Sequence, residues 1–363
     1  MSISTLSFNS ATRTSLVKLQ SSLNDASQEV NSGRHVDVGR TLGRLTGSAI
    51  SARAQESTFK EQRTSNGLVT TRLENIDASL ATISEGGEAL SNNLVGISVA
   101  TDFAVFVSGA KSGLQQMTSA LNASSGQFLF AGDNSNVSPI KTDTTLADAA
   151  TQLNFSNFVR AATGTDDASQ VTADQMKDYL TNPAGFTPAA VYPAPAPQPT
   201  VTGPYKFSDL FTDAAWAANW SNATNGTIDS PVSKSETITS SASANDASFR
   251  NMASAYTMIT SLDIGVLGES TRKVVTDAAA VQLKKGTTAI TSMRADVGTK
   301  LKRVESANTE LLRQQDIMEK TVSALEDVDI AEASLRVNAL KTQLEAAYTV
   351  TGKIQSLSLL NYI

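Results

Sequence analysis

The 363-residue sequence predicts a mainly α protein: a long antiparallel helical rod or coiled-coil core built from both termini, with an inserted central α+β or β-rich surface module. Three observations predict it. Both ends carry apolar residues at three-and-four spacing, the mark of a helix with one covered stripe. Between about residues 133 and 245 the composition shifts to asparagine, aspartate, threonine, proline and glycine. Only 6% of the chain is aromatic and 18% charged, low for compact domains, while small residues suited to close-packed long helices are abundant. The expected division is 1–132, an N-terminal helical region; 133–245, an outer module; and 246–363, a C-terminal helical region.

The first helix is expected from Ser10 to about Asn31, with its stripe on Leu16, Leu19, Leu23, Ala26 and Val30. Gly33 in Ser32-Gly33-Arg34 supplies the left-handed residue that ends helices. A looser segment with Gly39, Gly43 and Gly47 follows. Helix resumes near Ser48 and runs to Glu85, placing Leu68, Leu73, Ile76, Leu80 and Ile83 on one face, with a bend at Gly86-Gly87. A further helical stripe covers Leu90 to Leu121. The aromatic segment Gly126 to Gly132 reads as the first strand of a different domain.

Within the central module, the alternating prolines of Tyr192 to Pro199 form an extended stretch, a spacer rather than a ligand for a proline-binding domain. Trp216 and Trp220, four apart, share a helix face and anchor a core rather than bind a sugar or cofactor. Ser235 to Asp246 is low in complexity and polar, and reads as a return linker. Helix restarts near Phe249, breaks between Gly265 and Gly268, and continues to the C-terminus.

The C-terminal seam is Leu301, Val304, Leu311, Met318, Val322 and Leu325. After the acidic stretch Glu326 to Asp329 a second run follows: Val337, Leu340, Leu344, Ala347, Thr351 and Ile354. It is shifted in phase, so the seam is either re-registered or handed to a different partner. Asn308 and Gln315 fall at seam positions, where they either fix register or face solvent on a non-coiled helix. A narrow stripe cannot bury itself on a solitary helix. Both seams are therefore candidate assembly surfaces.

Chemistry is not expected. The single histidine, His35, has no partner set for nucleophilic catalysis, and there are no cysteines for disulfides, thiolate catalysis or metal sites. Glu326-Asp327-Val328-Asp329 lacks the glycine and closing glutamate of a calcium loop; helix capping by Asp327 or Asp329, or ion pairs to a neighbouring subunit, is the expected role. Gly39, Gly43 and Gly47 lack the lysine-serine of a nucleotide loop. The sequence implies no catalytic residue, cofactor or metal. The net charge of −6, without clustered basic residues, argues against nucleic acid. No apolar run is long enough to span a bilayer, and Met1 to Ser15 lacks a signal-peptide pattern.

Taken together, the Leu16-Leu19-Leu23 seam, the Asn31-Ser32-Gly33-Arg34 turn, the Glu326 to Glu332 stretch, Gln343 and the ending Ser356 to Leu360 resemble the flagellin family of bacterial flagella. The final Leu359-Leu360-Asn361-Tyr362-Ile363 and the Phe-Leu-Phe core of Gly126 to Gly132 are similar to members at the hook-filament junction rather than to filament-forming members. In place of the Asp-Asp-Ala-Ala-Gly stretch of filament flagellins, this chain has Thr41 to Gly47. The resemblance implies a non-enzymatic, extracellular structural part of the flagellum, exported through the flagellar type III apparatus without a cleaved signal. It implies termini at the centre of a hollow helical tube, the central module outside, and self-assembly into a ring or short layer. Its implied partners are hook-associated protein 1, flagellin and an export chaperone.

Overall fold

The computed structural model describes residues 5–97, 103–189 and 203–360, with side chains over 10–94, 103–189 and 203–353. It is mainly α. The helices are α1 (Thr5–Ser32), α2 (Val38–Leu42), α3 (Thr46–Ile97), α4 (Ala104–Leu121), α5 (Thr145–Thr163), α6 (Ala173–Thr181), α7 (Asp213–Asn219), α8 (Ala247–Ser261), α9 (Glu269–Glu326) and α10 (Ile330–Leu360). Strands β1 (Asp229–Pro231) and β2 (Thr237–Thr239) pair antiparallel, with Ser230 opposite Ile238. Two compact units result, 1–63 with 309–363, and 64–308. The composition boundaries at 132/133 and 245/246 both lie inside the second unit.

In the unit formed by the two ends of the chain, α1 packs on α10. The pair is antiparallel: Gln20 Nε2 donates to Tyr348 Oη at 2.6 Å, and Arg336 Nη1 to Glu29 Oε2 at 3.3 Å. The N-terminal part of α3 lies against the end of α9, where Arg63 Nη1 donates to Gln315 Oε1 at 3.0 Å and Arg53 bonds Glu326. The C-terminal seam is thus handed over rather than re-registered. The run through Leu311, Met318, Val322 and Leu325 serves the α3 side, and the run after Asp329 serves α1.

The second unit is built around α8, whose residues Phe249, Met252, Ala253, Ala255, Tyr256, Met258 and Ile259 are all buried. Three glycines let neighbouring helices approach it. A Cβ at Gly113 of α4 would stand 2.6 Å from Tyr256 Cε1, and one at Gly286 of α9 2.6 Å from Met252 Cγ; at Gly87 of α3 it would collide with Met252 Cε. Gly86-Gly87 therefore marks a close approach and not a bend, since α3 runs unbroken through it. The buried face of α3 is Val69, Leu73, Ile76, Leu80 and Ile83. Leu68 is 72% exposed, because its five-residue step to Leu73 turns it off that face.

Residues 133–245 share this core instead of forming their own. Phe158 stacks on Tyr179 at 4.0 Å and Trp216 on Trp220 at 5.4 Å, both tryptophans being buried. Trp216 Nε1 donates to the Ala244 carbonyl at 3.1 Å, so these rings are structural anchors. Leu129 and Phe130 of the glycine-bounded segment are buried, and its backbone bonds residues 242–244 without becoming a regular strand. Arg72 holds that segment, donating to Phe128 O at 3.2 Å and Ser240 O at 2.7 Å. Ser235 to Asp246 is not a linker. It supplies β2, buries Ile238, Ser240 and Ala244, and caps α8 through Asp246. Its small polar residues pass for low complexity, yet they alternate in burial as a strand requires. The proline run 192–199 lies outside the described residues.

Two outcomes are expected. Gly113→Val should destabilise the second unit by about 1–3 kcal/mol, because Tyr256 leaves no room for the added methyls; urea unfolding followed by tryptophan fluorescence measures this. Burial pushes Tyr256 up to about 12, and its hydroxyl has no hydrogen-bond partner among the described residues. The neutral phenol is favoured in the folded state, so this contribution is complete below the ordinary tyrosine value near 10. It is lost as pH rises from there through about 12. Stability against pH, with and without Tyr256→Phe, should show the alkaline loss shrink in the variant.

Candidate assembly surface

Where α1 ends and α10 begins, two turns are bound backbone to backbone. Gly33, at φ +70°, closes α1 with its N–H on Glu29 O at 2.8 Å. The chain then runs antiparallel to residues 326–328: His35 N donates to Glu326 O, and Val328 N to Gly33 O, both at 2.9 Å. Asp329 caps α10, accepting from Ala331 N at 2.8 Å. Asp327 pairs with Arg34 at 3.5 Å. The acidic stretch thus makes its cap and its ion pairs within the chain.

Two carboxylates are buried here. Glu326 is 1% exposed and takes the guanidinium of Arg53, while Glu29 takes Arg336 on one oxygen and His35 Nδ1 at 3.4 Å on the other. Each carboxylate is paired with a guanidinium, as a charge removed from water must be paired. His35 therefore sits in a structural network with its backbone and its ring both engaged.

The expected seam residues face inward. In α1, Leu16, Leu19, Leu23 and Val30 are half-buried and Ala26 is buried. In α10, Val337, Leu340, Leu344, Ala347 and Thr351 are half-buried; the side chain of Ile354 lies outside the described residues, as does the ending 361–363. Along α9, Val304, Leu311 and Val322 are buried, with Leu301, Met318 and Leu325 half-buried. Asn308 and Gln315 fix register: Asn308 Oδ1 accepts from Asn66 Nδ2 at 2.8 Å, and Gln315 from Arg63.

A second stripe escaped that reading. Leu335, Ala339, Ala346 and Val350 recur at four- and seven-residue steps along the opposite side of α10, and all are exposed, Leu335 by 70%. Val17, Ile50, Leu312 and Ile317 add exposed apolar side chains on α1, α3 and α9. Helix α10 is thus apolar on both sides and covered by α1 on one, which leaves the second stripe open to solvent. The signal was present as a second heptad phase.

Arg53→Ala should leave Glu326 buried with its carboxylate short of a donor. The expected loss is about 1–3 kcal/mol, read from thermal unfolding of the helical signal. Arg53→Lys should restore part of it.

No curated protein matches the sequence. Residues 282–363 match the bacterial flagellin C-terminal helical region. Among solved structures, one described as a flagellar hook-associated protein from Vibrio parahaemolyticus is similar in fold, with a TM-score of 0.51 and 8% identity over 78% of this chain and 97% of that one. The flagellin match covers most of α9 and all of α10, the helix that carries both stripes. Residues 282–363 thus carry the flagellin C-terminal helical region, and the fold of the chain is similar to that of a structure described as a hook-associated protein.

Proposed function

We propose that this protein is a non-enzymatic adaptor of the flagellar axis at the hook-filament junction, joining hook-associated protein 1 to flagellin. The observation that carries the assembly reading is α10, which is apolar on two sides while α1 covers one. Neighbouring copies cover the second stripe, and unlike neighbours lie above and below, since a contact repeated with a rise otherwise propagates into an open helix. Both termini lie inside the tube and residues 133–245 outside. Charge supports this arrangement. Residues 133–245 carry eleven acidic and five basic side chains, and the rest of the chain carries 24 of each. The helical ends stack without net repulsion, and the acidic excess faces solvent.

Export through the flagellar type III apparatus, with a chaperone on the C-terminal helix beforehand, follows from a surface that must stay covered until assembly. No helix among the described residues is long and apolar enough to cross a membrane. The second reading is a filament-forming flagellin, favoured by the sequence match over 282–363. A cytoplasmic helical scaffold is the remaining alternative, and it needs no unlike partners at its two ends.

Deleting the gene separates these. A junction adaptor leaves hooks without filaments and sheds flagellin into the medium; a filament subunit leaves shorter or altered filaments; unaffected flagella would sink the reading. Two substitutions test the surface itself. Leu335→Asp should change monomer stability by no more than about 0.5 kcal/mol, yet abolish incorporation. Leu344→Asp should abolish incorporation as well and also loosen α1 from α10, because the charge enters a covered seam. Incorporation of the Leu335 variant at wild-type levels would remove the second stripe from the interface.

A further inference from the structure

The chain contains Asn-Gly twice, and the structure treats the two pairs oppositely. Asn66-Gly67 lies in the middle of α3, with Asn66 buried and its Nδ2 donating to Asn308 Oδ1 at 2.8 Å and Val232 O at 2.9 Å. Asn225-Gly226 lies in the irregular segment before β1, and Asn225 is exposed. We propose that Asn225 is a site of spontaneous deamidation in the folded protein, and that Asn66 is protected from the same reaction.

The reaction needs three things, and the segment supplies each. The nucleophile is the Gly226 backbone nitrogen, which is outside any helix or ladder, and glycine puts no side chain beside it. The electrophile is Asn225 Cγ, one residue away. Its Oδ1 accepts a hydrogen bond from Asn245 Nδ2 at 3.0 Å, which polarises the amide and stabilises the oxyanion as the nitrogen adds. Asn245 is itself held, since its Nδ2 also donates to Ala223 O at 2.8 Å. The Gly226 N–H gives its proton to solvent base, and the nitrogen bonds Asn225 Cγ. The Cγ–N bond of the amide then breaks, and ammonia leaves with the added proton. Water opens the resulting five-membered imide at either carbonyl, giving aspartate or isoaspartate. No oxidant or cofactor enters.

The product would not be silent. The Asp133 carboxylate packs against Gly226 on the side where a Cβ would stand, and it accepts from Thr224 Oγ1. A new carboxylate at 225 adds a like charge beside it. Isoaspartate also lengthens the backbone by one carbon between Thr224, whose N–H bonds Ala131 O at 3.1 Å, and strand β1.

The test is peptide mapping by mass spectrometry on the folded full-length protein, held at neutral pH and 37 °C, with circular dichroism confirming that it stays folded. Conversion at 225 is expected roughly thirty-fold faster than at 66, where two side-chain hydrogen bonds and the helix must open first. Unfolding in urea should bring the two rates together. Asn225→Gln should remove the charge variant that accumulates on isoelectric focusing. If Asn225 stays amidated over the time in which the unfolded chain converts, or if both sites convert alike in the folded protein, the inference is overturned.

Discussion

Everything in the unit built from the chain ends depends on α1 finding α10, because neither helix can hide its stripe alone. The hydrophobic contribution of such a narrow seam scales with the area it removes from water, and half-buried leucines remove only part of theirs. The junction beside the seam supplies what the leucines do not, namely geometry. The backbone bonds between the Gly33 and Val328 turns and the two buried carboxylates, Glu29 and Glu326, tie both helix pairs to one register. Buried ion pairs are weak evidence for stability but demand specific partners, which suits a surface that must meet its neighbours in one orientation.

The second unit solves a different problem by different means. Its long helices contribute few aromatics, so α8 is packed by bringing backbones close, at Gly87, Gly113 and Gly286. Residues 133–245 add the large rings, from Phe155 to Trp220, at one side of the same core. The result explains why so low an aromatic content is sufficient: the rings are concentrated where helices alone would leave space.

The long-period features were legible in the sequence, since a stripe such as Leu73, Ile76, Leu80 and Ile83 reports its covered face directly. Features set by tertiary contact were not. The Gly86-Gly87 pair looks like a break until Met252 is placed against it, and Ser235 to Asp246 looks like a linker until Ile238 is seen to be buried. The central helix α5 buries the face of Ala147, Thr151, Phe155 and Phe158 but leaves Leu146 and Leu153 exposed, which blurs its stripe. The seam between α1 and α10 was readable as a covered stripe, and the outward stripe of α10 was not singled out. Leu335 and Val350 sit out of phase with Leu340 and Leu344, and a search for one stripe discards the other.

The pairing of Gln20 with Tyr348 joins residues 328 apart along the chain. A contact of that span is entropically remote while the intervening chain is unfolded, and the cost of closing the loop grows with its length. The Asn66 to Asn308 hydrogen bond changes the problem, since folding of residues 64–308 brings the two outgoing segments together. The ends then zip from a short loop instead of a long one. On a ribosome, α1 is made before α10 and every helix between them, so it waits while those are synthesised. Delay of this kind leaves the two termini free to be claimed by another protein before they claim each other.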